Sequence, residues 1–304
     1  MNQAAKRRRG PVVPPLSRKI RYGFETILAY GIYGFFRALP LKTASACGGR
    51  ILQAIGPRMG ISRVALKNLD LAFPEKTADE KNIILQNMWN NLGRVIAEYA
   101  HLSHIAPQVD IEGMEHLLAA KNSGKAMIFW SGHLGNWEAT PMMARQAGLD
   151  ISLIYRKPNN PGVDRLLRYT REQAGGSGHI AKGAEGAREI FSLLKQKKAI
   201  GILLDQKLNE GLAVPFFGRP AMTATAVAQF ALRFDCVLTP TCTRRLPDGR
   251  LQVRIFPPMT VLQTGNRDAD AMALLVRINQ QLEDWIRASP ADWLWIHKRW
   301  PDSA

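Results

Sequence analysis

Short apolar runs that alternate with helical segments constrain the fold of this chain more than any other feature. From about residue 109 onward, the runs at 126–130, 151–155 and 199–205 are apolar and bounded by turn-forming residues, as buried strands are. Helical segments separate them. Strands that alternate with helices predict an α/β fold with a mixed, largely parallel sheet flanked by helices.

The N-terminal part of the chain predicts helices rather than strands. Residues 22–36 form an apolar segment of about fifteen positions, which is shorter than the roughly twenty that a membrane span needs, and the segment contains Glu25. Basic residues precede it and favour a cytoplasmic N-terminus. Residues 20–40 are therefore predicted to be a short or tilted membrane anchor or an interfacial helix, with an amphipathic core helix as the alternative.

Two further helices are predicted before the strands begin. Residues 44–59 have a weakly amphipathic pattern. Thr77 and Glu80 have the spacing of a capping box, which predicts the start of a long helix that ends near residue 103.

The charge balance favours an anionic partner. The chain has 41 Lys and Arg residues against 25 Asp and Glu residues, a formal charge of +16. Nucleic acid, an anionic membrane, a phosphorylated lipid and an acidic protein would all be attracted. The basic residues are spread along the chain without a zinc-finger, RNP-like or helix-turn-helix signature, so nucleic-acid binding is the less favoured alternative. The three cysteines form no C-x-x-C pair, which favours a reduced compartment.

Polar residues follow three of the predicted strands. In open α/β sheets, ligands bind beyond the carboxyl ends of the strands, so these segments are candidates for a site. They are Ser131 to Glu138 after the first strand, Arg156 to Pro161 after the second, and Asp205 to Lys207 after the third.

His133 and Glu138 form a His-x4-Glu pair and are the candidate catalytic residues. A separation of five does not place both on one face of a helix, so the pairing requires His133 on the loop and Glu138 in the first helical turn. Gly132 and Gly135 permit a tight turn whose backbone N–H groups can point into the crevice. His133 would then take a proton from a hydroxyl while the carboxylate fixes its tautomer. No Gly-x-Ser-x-Gly elbow supplies a serine nucleophile.

Five ordered segments together carry a family resemblance. They are HLGNWE, YRKPNNP, LLDQK, VPFFGRPAMT and WLWIHKRW. They resemble the late acyltransferases of lipid A biosynthesis, the lauroyl and myristoyl transferases, within the lysophospholipid acyltransferase superfamily. The resemblance runs over almost the whole chain. It implies a glycerol-phosphate acyltransferase-like fold with an N-terminal membrane-anchoring helix, and an O-acyltransferase that moves a fatty acyl chain to a hydroxyl of a lipid A precursor.

The resemblance also implies roles for single residues. His133 matches the base and Glu138 its acidic partner. The substrate-binding candidates are Asn136, Arg156, Lys157, Asp205, Gln206 and Lys207, and the acyl-pocket candidates are Trp137, Phe216 and Phe217. Three alternatives stay open: a solvated basic loop at 156–157, a helix-capping role for Asp205, and core packing of the two phenylalanines.

The implied donor is an acyl thioester, on acyl carrier protein or on coenzyme A, with the carrier protein favoured. The implied acceptor is a phosphorylated glycolipid at the cytoplasmic face of the bacterial inner membrane. Direct attack by the acceptor hydroxyl requires neither a metal nor a redox cofactor and forms no covalent enzyme intermediate. Acylation of another membrane lipid, such as a lysophospholipid or ornithine lipid, and hydrolysis of the thioester are the alternatives.

The predicted organisation follows from these patterns. Residues 1–19 form a basic cytoplasmic tail, residues 20–60 the membrane anchor and interfacial helices, and residues 61–304 the acyltransferase domain.

Overall fold

The computed structural model describes residues 16–176 and 178–301. Most of the predicted basic tail, including its Lys and Arg run at 6–9, lies outside the described residues.

Helices form the N-terminal part of the described chain, as predicted. They are α1 (Leu16–Arg37), α2 (Leu41–Ile55), α3 (Ser62–Ala72), α4 (Ala78–Glu98) and α5 (Leu102–Ile105). The capping box at the start of α4 is confirmed, because the Thr77 N–H donates to the Glu80 carboxylate at 2.8 Å and the Glu80 N–H donates to the Thr77 hydroxyl at 3.3 Å. α4 ends at Glu98, where a 3-10 turn follows, rather than near residue 103.

The first helix exposes apolar side chains along much of its length. Phe24, Ile27, Leu28 and Phe35 are all exposed. Nevertheless, none of the helices in the described ranges is long and apolar enough to cross a membrane.

One seven-stranded mixed sheet forms the centre of the molecule, in the order β1-β9-β8-β2-β5-β3-β4. Its strands are β1 (Asp110–Glu112), β2 (Ala126–Ser131), β3 (Ile151–Tyr155), β4 (Gly178–Ala181), β5 (Ala199–Leu203), β8 (Cys236–Arg245) and β9 (Leu251–Ile255). All neighbours pair in parallel except β8 with β9. The predicted α/β class with a largely parallel sheet is therefore confirmed.

Helices follow the strands, and a small hairpin stands apart from the main sheet. The helices are α6 (Met114–Asn122), α7 (Thr140–Gln146), α8 (Pro161–Ala174), α9 (Ala184–Lys195), α10 (Ala226–Arg233) and α11 (Arg267–Ala288). The hairpin consists of β6 (Leu212–Phe216) and β7 (Arg219–Thr223), which pair antiparallel.

The core lies on both faces of the sheet. Strand β2 is central and buried throughout, and successive side chains of a strand point to opposite faces. Ile128 and Trp130 belong to one hydrophobic cluster, while Met127 and Phe129 belong to another. Burial of both faces explains why this strand reads as a continuous apolar run.

Candidate active site

Four neighbouring parallel strands end at one edge of the sheet, and an ionisable residue follows each of them. His133 follows β2, Asp205 follows β5, Arg156 follows β3 and Lys182 follows β4. The expectation that the first three strand ends lie together is confirmed, because β2, β5 and β3 are adjacent. Lys182 joins them through β4, a strand that the sequence analysis did not predict.

The chain turns sharply after β2, and Gly135 makes this turn possible. Its φ is +56°, in the left-handed region, and a Cβ atom there would overlap the carbonyl oxygen of Thr243. The backbone N–H of Leu134 donates to Gly132, and that of Gly135 donates to Asp292. The N–H of His133 donates to Asp205. The N–H groups of these three residues, which were expected to be able to point into the crevice, are thus paired within the protein.

The Asp205 carboxylate holds the His133 ring. Nδ1 of His133 lies 2.8 Å from Oδ1 of Asp205, and the His133 backbone N–H donates to Oδ2 at 3.0 Å. An ionised carboxylate can only accept, so Nδ1 carries the proton and Nε2 of a neutral ring keeps its lone pair. This is the tautomer that a general base requires.

Asp205 itself is fully buried and has a third donor. The indole N–H of Trp293 donates to its Oδ2 at 2.8 Å. Burial alone would raise the pKa of Asp205. The positive charge that His133 can carry and the hydrogen bonds from His133 outweigh this effect and hold that pKa well below its usual range. Asp205 is therefore a permanent negative charge behind the imidazole.

A second imidazole and an amide face His133. The Gln206 amide nitrogen lies 3.4 Å from Nε2 of His133 and 3.3 Å from Nε2 of His297. The two rings stand edge to face with their centres 5.2 Å apart. Burial lowers the pKa of His297 to about 4, so this ring is neutral at physiological pH.

The same residues have some features of a metal site. Ligand atoms of His133, Asp205 and His297 lie within 4.8 Å of one another. However, the Gln206 amide nitrogen lies within hydrogen-bonding distance of both Nε2 atoms. The lone pairs that would bind a cation therefore already accept hydrogen bonds from the amide. The arrangement therefore fits a hydrogen-bonded network better than a cation site.

Glu138 lies close by but has other partners. Its carboxylate accepts hydrogen bonds from Arg171 Nε at 2.7 Å, from the Tyr99 hydroxyl at 2.6 Å and from the Trp137 indole at 3.1 Å. Burial would raise the pKa of Glu138, but the Arg171 charge and the hydrogen bonds from Arg171, Tyr99 and Trp137 together outweigh burial and lower that pKa. The predicted contact between Glu138 and His133 is wrong, and the Trp137 ring, 5.1 Å from the His133 ring, lies beside both.

The predicted substrate-binding residues differ in position. Asn136 is fully buried, donates to Glu98 at 2.7 Å and accepts from the Glu138 N–H at 3.1 Å, so its amide supports the turn and is not open to a ligand. Arg156 and Lys157 are exposed at the end of β3, and Lys207 is half-buried directly after Gln206.

Two of the predicted acyl-pocket residues are core residues. Phe216 packs against Trp293 and Trp300, with ring centres 5.8 Å and 5.5 Å apart, and Phe217 packs against Phe73 at 5.5 Å. Both phenylalanines are buried, as expected for the core-packing alternative, and their predicted place in an acyl pocket stays a prediction. Trp137 and Glu138 both line a small, mostly apolar cavity of about 50 Å³.

Comparison with known proteins identifies the family. The chain matches the family of bacterial lipid A biosynthesis acyltransferases over residues 14–302. The chain belongs to this family. It is therefore an O-acyltransferase of lipid A biosynthesis, and the family resemblance is confirmed.

Relatives of this acyltransferase differ in their acyl groups. It is 24% identical to a lipid A biosynthesis acyltransferase of Haemophilus influenzae, covering 85% of this chain and 81% of the relative. It is 26% identical to the lipid A biosynthesis myristoyltransferase of Escherichia coli K12 (79% and 76%), and 24% identical to the palmitoleoyltransferase of the same organism (90% of each). The 1-acyl-sn-glycerophosphate acyltransferase of Thermotoga maritima has a TM-score of 0.36 and 11% identity, covering 80% of this chain and 98% of that one.

Sequence reasoning missed several residues around the site of this acyltransferase. His297 and Trp293 lie in the C-terminal WLWIHKRW segment, which the resemblance marked without assigning roles. Arg171 and Tyr99 carried no signal, because each is one polar residue on a helical segment far from Glu138 in sequence. Only the packing of these segments brings the two residues to the Glu138 carboxylate.

Proposed function

We propose that this acyltransferase moves a fatty acyl chain from an acyl thioester to a hydroxyl of a lipid A precursor, with His133 as the general base. The contact between Nδ1 of His133 and the buried Asp205 carboxylate is the observation that carries this proposal. It leaves the lone pair of Nε2, which lies 3.4 Å from the Gln206 amide nitrogen, to take the hydroxyl proton, and the nearby charge stabilises the imidazolium that forms.

The chemical steps follow from this arrangement. The acceptor hydroxyl gives its proton to Nε2 of His133 while its oxygen attacks the thioester carbonyl carbon. The tetrahedral intermediate then collapses, the carbon–sulfur bond breaks, and the thiolate takes the proton from His133. The new ester carries the acyl chain, and the enzyme returns to its starting state without a covalent intermediate.

The Gln206 amide is suited to stabilise the negative oxygen of the intermediate, because Nε2 of His133 no longer accepts a hydrogen bond from it once that atom has taken the proton. The amide nitrogen lies 3.4 Å from Nε2 of His133, the atom that the acceptor hydroxyl must approach. A donor fixed where charge develops lowers the barrier without reorganising in the transition state. The neutral His297 ring on the other side of the amide limits its movement.

Basic side chains at the same edge of the sheet support a phosphorylated acceptor. Arg156 and Lys157 are exposed there, and Lys207 is half-buried next to Gln206. The pKa of Lys182 is lowered by burial and by the Arg156 charge, whereas the Asp205 charge opposes this shift. An anionic group near these residues would relieve the repulsion between the cations.

Glu138 has a positioning role in this scheme. Its carboxylate fixes the Trp137 indole, and that ring packs against His133. Arg171 and Tyr99 hold the carboxylate in turn.

An apolar groove between α1, α4 and α8 is suited to hold the acyl chain. It has a volume of about 260 Å³, and Ile32, Ile96 and Leu167 line it. Tyr99, which binds Glu138, stands at the same groove. Ile32 of α1 lines the groove and is 41% exposed, so a chain could enter the groove from a bilayer.

The exposed face of α1 supports docking at the cytoplasmic face of the bacterial inner membrane, with residues 20–60 in the interface and residues 61–304 as the catalytic domain. Apolar side chains with basic flanks bind anionic bilayers in this way. The positive surplus would also attract an acidic acyl carrier protein, the proposed donor, although coenzyme A carries the same thioester.

Mass spectrometry of membrane lipids tests this function. Cells lacking the gene are complemented with wild type, His133→Ala or His179→Ala, the last a control histidine on β4. Wild type and the control should add one acyl chain to a lipid A precursor, and His133→Ala should not. Acylation of a different lipid by wild type would contradict the proposed acceptor. Release of free fatty acid without any acylated lipid would contradict acyl transfer.

A further inference from the structure

A second cavity lies apart from the His133 site, between α2, α4 and the loop that joins β8 to β9. Its volume is about 470 Å³. None of His133, Asp205, Gln206 and His297 lines it. Acyl transfer as described above needs no group in this cavity.

The cavity is rich in positive charge. Lys42, Arg94, Arg245 and Arg250 line it, together with two acidic residues. Of the acids, Asp248 pairs with Arg250 at 2.7 Å, where both side chains are about half exposed. The other acid, Glu98, is buried and pairs with Arg245 at 2.8 Å.

The Arg94 guanidinium donates to neutral groups rather than to a carboxylate. Its Nε donates to Asn90 at 2.8 Å, and one terminal nitrogen donates to Ser45 at 3.3 Å. Burial and the charges of Arg245 and Arg50 lower the pKa of Arg94, although Glu98 opposes this. One buried carboxylate therefore stands against the charges of two arginines, only one of which it pairs with, and this leaves a net positive charge inside the cavity.

Two further features favour an anion at this position. Nε of Arg245 is buried and has no hydrogen-bond partner among the described residues. Helix α2 begins at the cavity wall, with Leu41 and Lys42 in the lining, and no side chain caps its first N–H groups. The positive end of a helix dipole adds to the attraction for an anion.

Much of the remaining lining is apolar. Leu41, Ile105, Leu246 and Leu251 contribute to the wall. A small inorganic ion would leave this surface in contact with water, whereas a lipid would cover it. The cavity therefore combines a cationic end with an apolar wall.

We propose that this cavity binds the phosphate monoester group of a membrane lipid, with Arg94 and Lys42 as its main ligands. A guanidinium group can form two parallel hydrogen bonds to two oxygens of one phosphate group. A phosphate monoester carries nearly two negative charges near neutral pH. The site has a direct connection to the catalytic turn, since Glu98 accepts from both Arg245 and Asn136.

Binding measurements on the full chain in detergent test this site without an acyl donor, so they are independent of the reaction proposed above. In calorimetry, wild type should bind inorganic phosphate, and Arg94→Gln should weaken binding about ten- to a hundredfold because it removes charged hydrogen bonds. Arg254→Gln is the control, since it removes the same charge from an exposed pair with Glu112.

Vesicles distinguish a lipid from free phosphate as the natural source. Wild type should prefer phosphatidylcholine vesicles that contain phosphatidic acid, a monoester, over vesicles that contain phosphatidylglycerol, a diester, at matched surface charge. Inorganic phosphate should compete, and Arg94→Gln should lose the preference while Arg254→Gln retains it. Phosphate binding without this preference would overturn the lipid as the ligand.

The exposed Lys42 gives a second variant that leaves the buried pair of Glu98 and Arg245 intact. Lys42→Gln should fold as wild type does and should weaken phosphate binding several-fold. Equal phosphate affinity in wild type, Arg94→Gln and Lys42→Gln would overturn the site altogether.

Discussion

Asp205 accepts two hydrogen bonds from His133, one from the ring at 2.8 Å and one from the backbone N–H at 3.0 Å. One carboxylate thus fixes both the orientation of the imidazole and the loop that carries it. Glu138, only five residues from His133, instead forms a buried ion pair with Arg171. The two acids close to the base have different tasks, and their variants should behave differently.

Asp205→Asn should abolish most of the activity. The amide keeps the shape of the side chain but can present N–H to Nδ1, which favours the wrong tautomer of His133. We expect the single-turnover rate to fall by about three to four orders of magnitude. Glu138→Gln is the comparison variant, and a larger loss of the single-turnover rate there than in Asp205→Asn would disprove the assignment.

Arg171→Met should destabilise the fold strongly. It leaves the Glu138 carboxylate buried without its cation, and breaking a buried pair on one side costs about 3–5 kcal/mol. Denaturant unfolding of the double variant Arg171→Met with Glu138→Met should recover most of this loss, since removing both charges is often nearly neutral.

The exposed ion pair of Arg254 and Glu112 provides the control for this comparison of single and double variants. Their side chains are 54% and 43% exposed, so Arg254→Met should cost less than about 1 kcal/mol. A similar cost at both pairs would mean that burial does not govern the effect.

Gly135→Ala should damage both stability and activity. A methyl group there overlaps the Thr243 carbonyl oxygen, and φ is +56°. We expect a loss of about 3 kcal/mol or more in the free energy of unfolding. Gly124 is a matched control, because it has φ of +64° but open space around its Cβ position, so Gly124→Ala should cost only about 1 kcal/mol. Both variants are measured by thermal and denaturant unfolding. If Gly135→Ala and Gly124→Ala lost equal stability, the contact with Thr243 would not matter.

His297 should make the fold sensitive to mild acid. Burial lowers its pKa to about 4 from the ordinary value of 6.5. Between these two pH values the unfolded chain takes up a proton that the folded chain does not, so stability falls as pH falls through this window. The contribution is roughly 2–3 kcal/mol. His297→Gln should therefore lose less stability than wild type between pH 6.5 and 4, and parallel curves would argue against a buried neutral imidazole.

Polar substitutions on α1 should weaken binding to anionic vesicles. Phe24 and Ile27 are 67% and 74% exposed, and each buried side chain of this size contributes about 1.5–3 kcal/mol. Replacement of either by Ser should reduce the partition coefficient in flotation assays about tenfold or more. Ile83 on α4 is 58% exposed and is the control for a lost apolar residue elsewhere. A loss in Ile83→Ser equal to that in Phe24→Ser would remove α1 as the docking face.

The sequence by itself determined the local structure and the edge of the sheet at which the site lies. Apolar runs of five to seven residues identified β2, β3 and β5, since a strand buried on both faces is largely apolar. The helix start at Thr77 was equally local, because a capping box is formed by residues three apart. Parallel strands end at a common edge, so His133, Arg156 and Asp205 could be assigned to one crevice.

Only the tertiary structure decided which residues pair within that crevice. Asp205 reaches His133 because β5 lies directly beside β2, and Arg171 reaches Glu138 because α8 packs against the site. His297 lies in the C-terminal segment and reaches the site only through the packing of that segment. Hydrogen bonds and buried charges depend on distances of a few ångströms, and sequence separation does not encode these distances once helices and strands have packed.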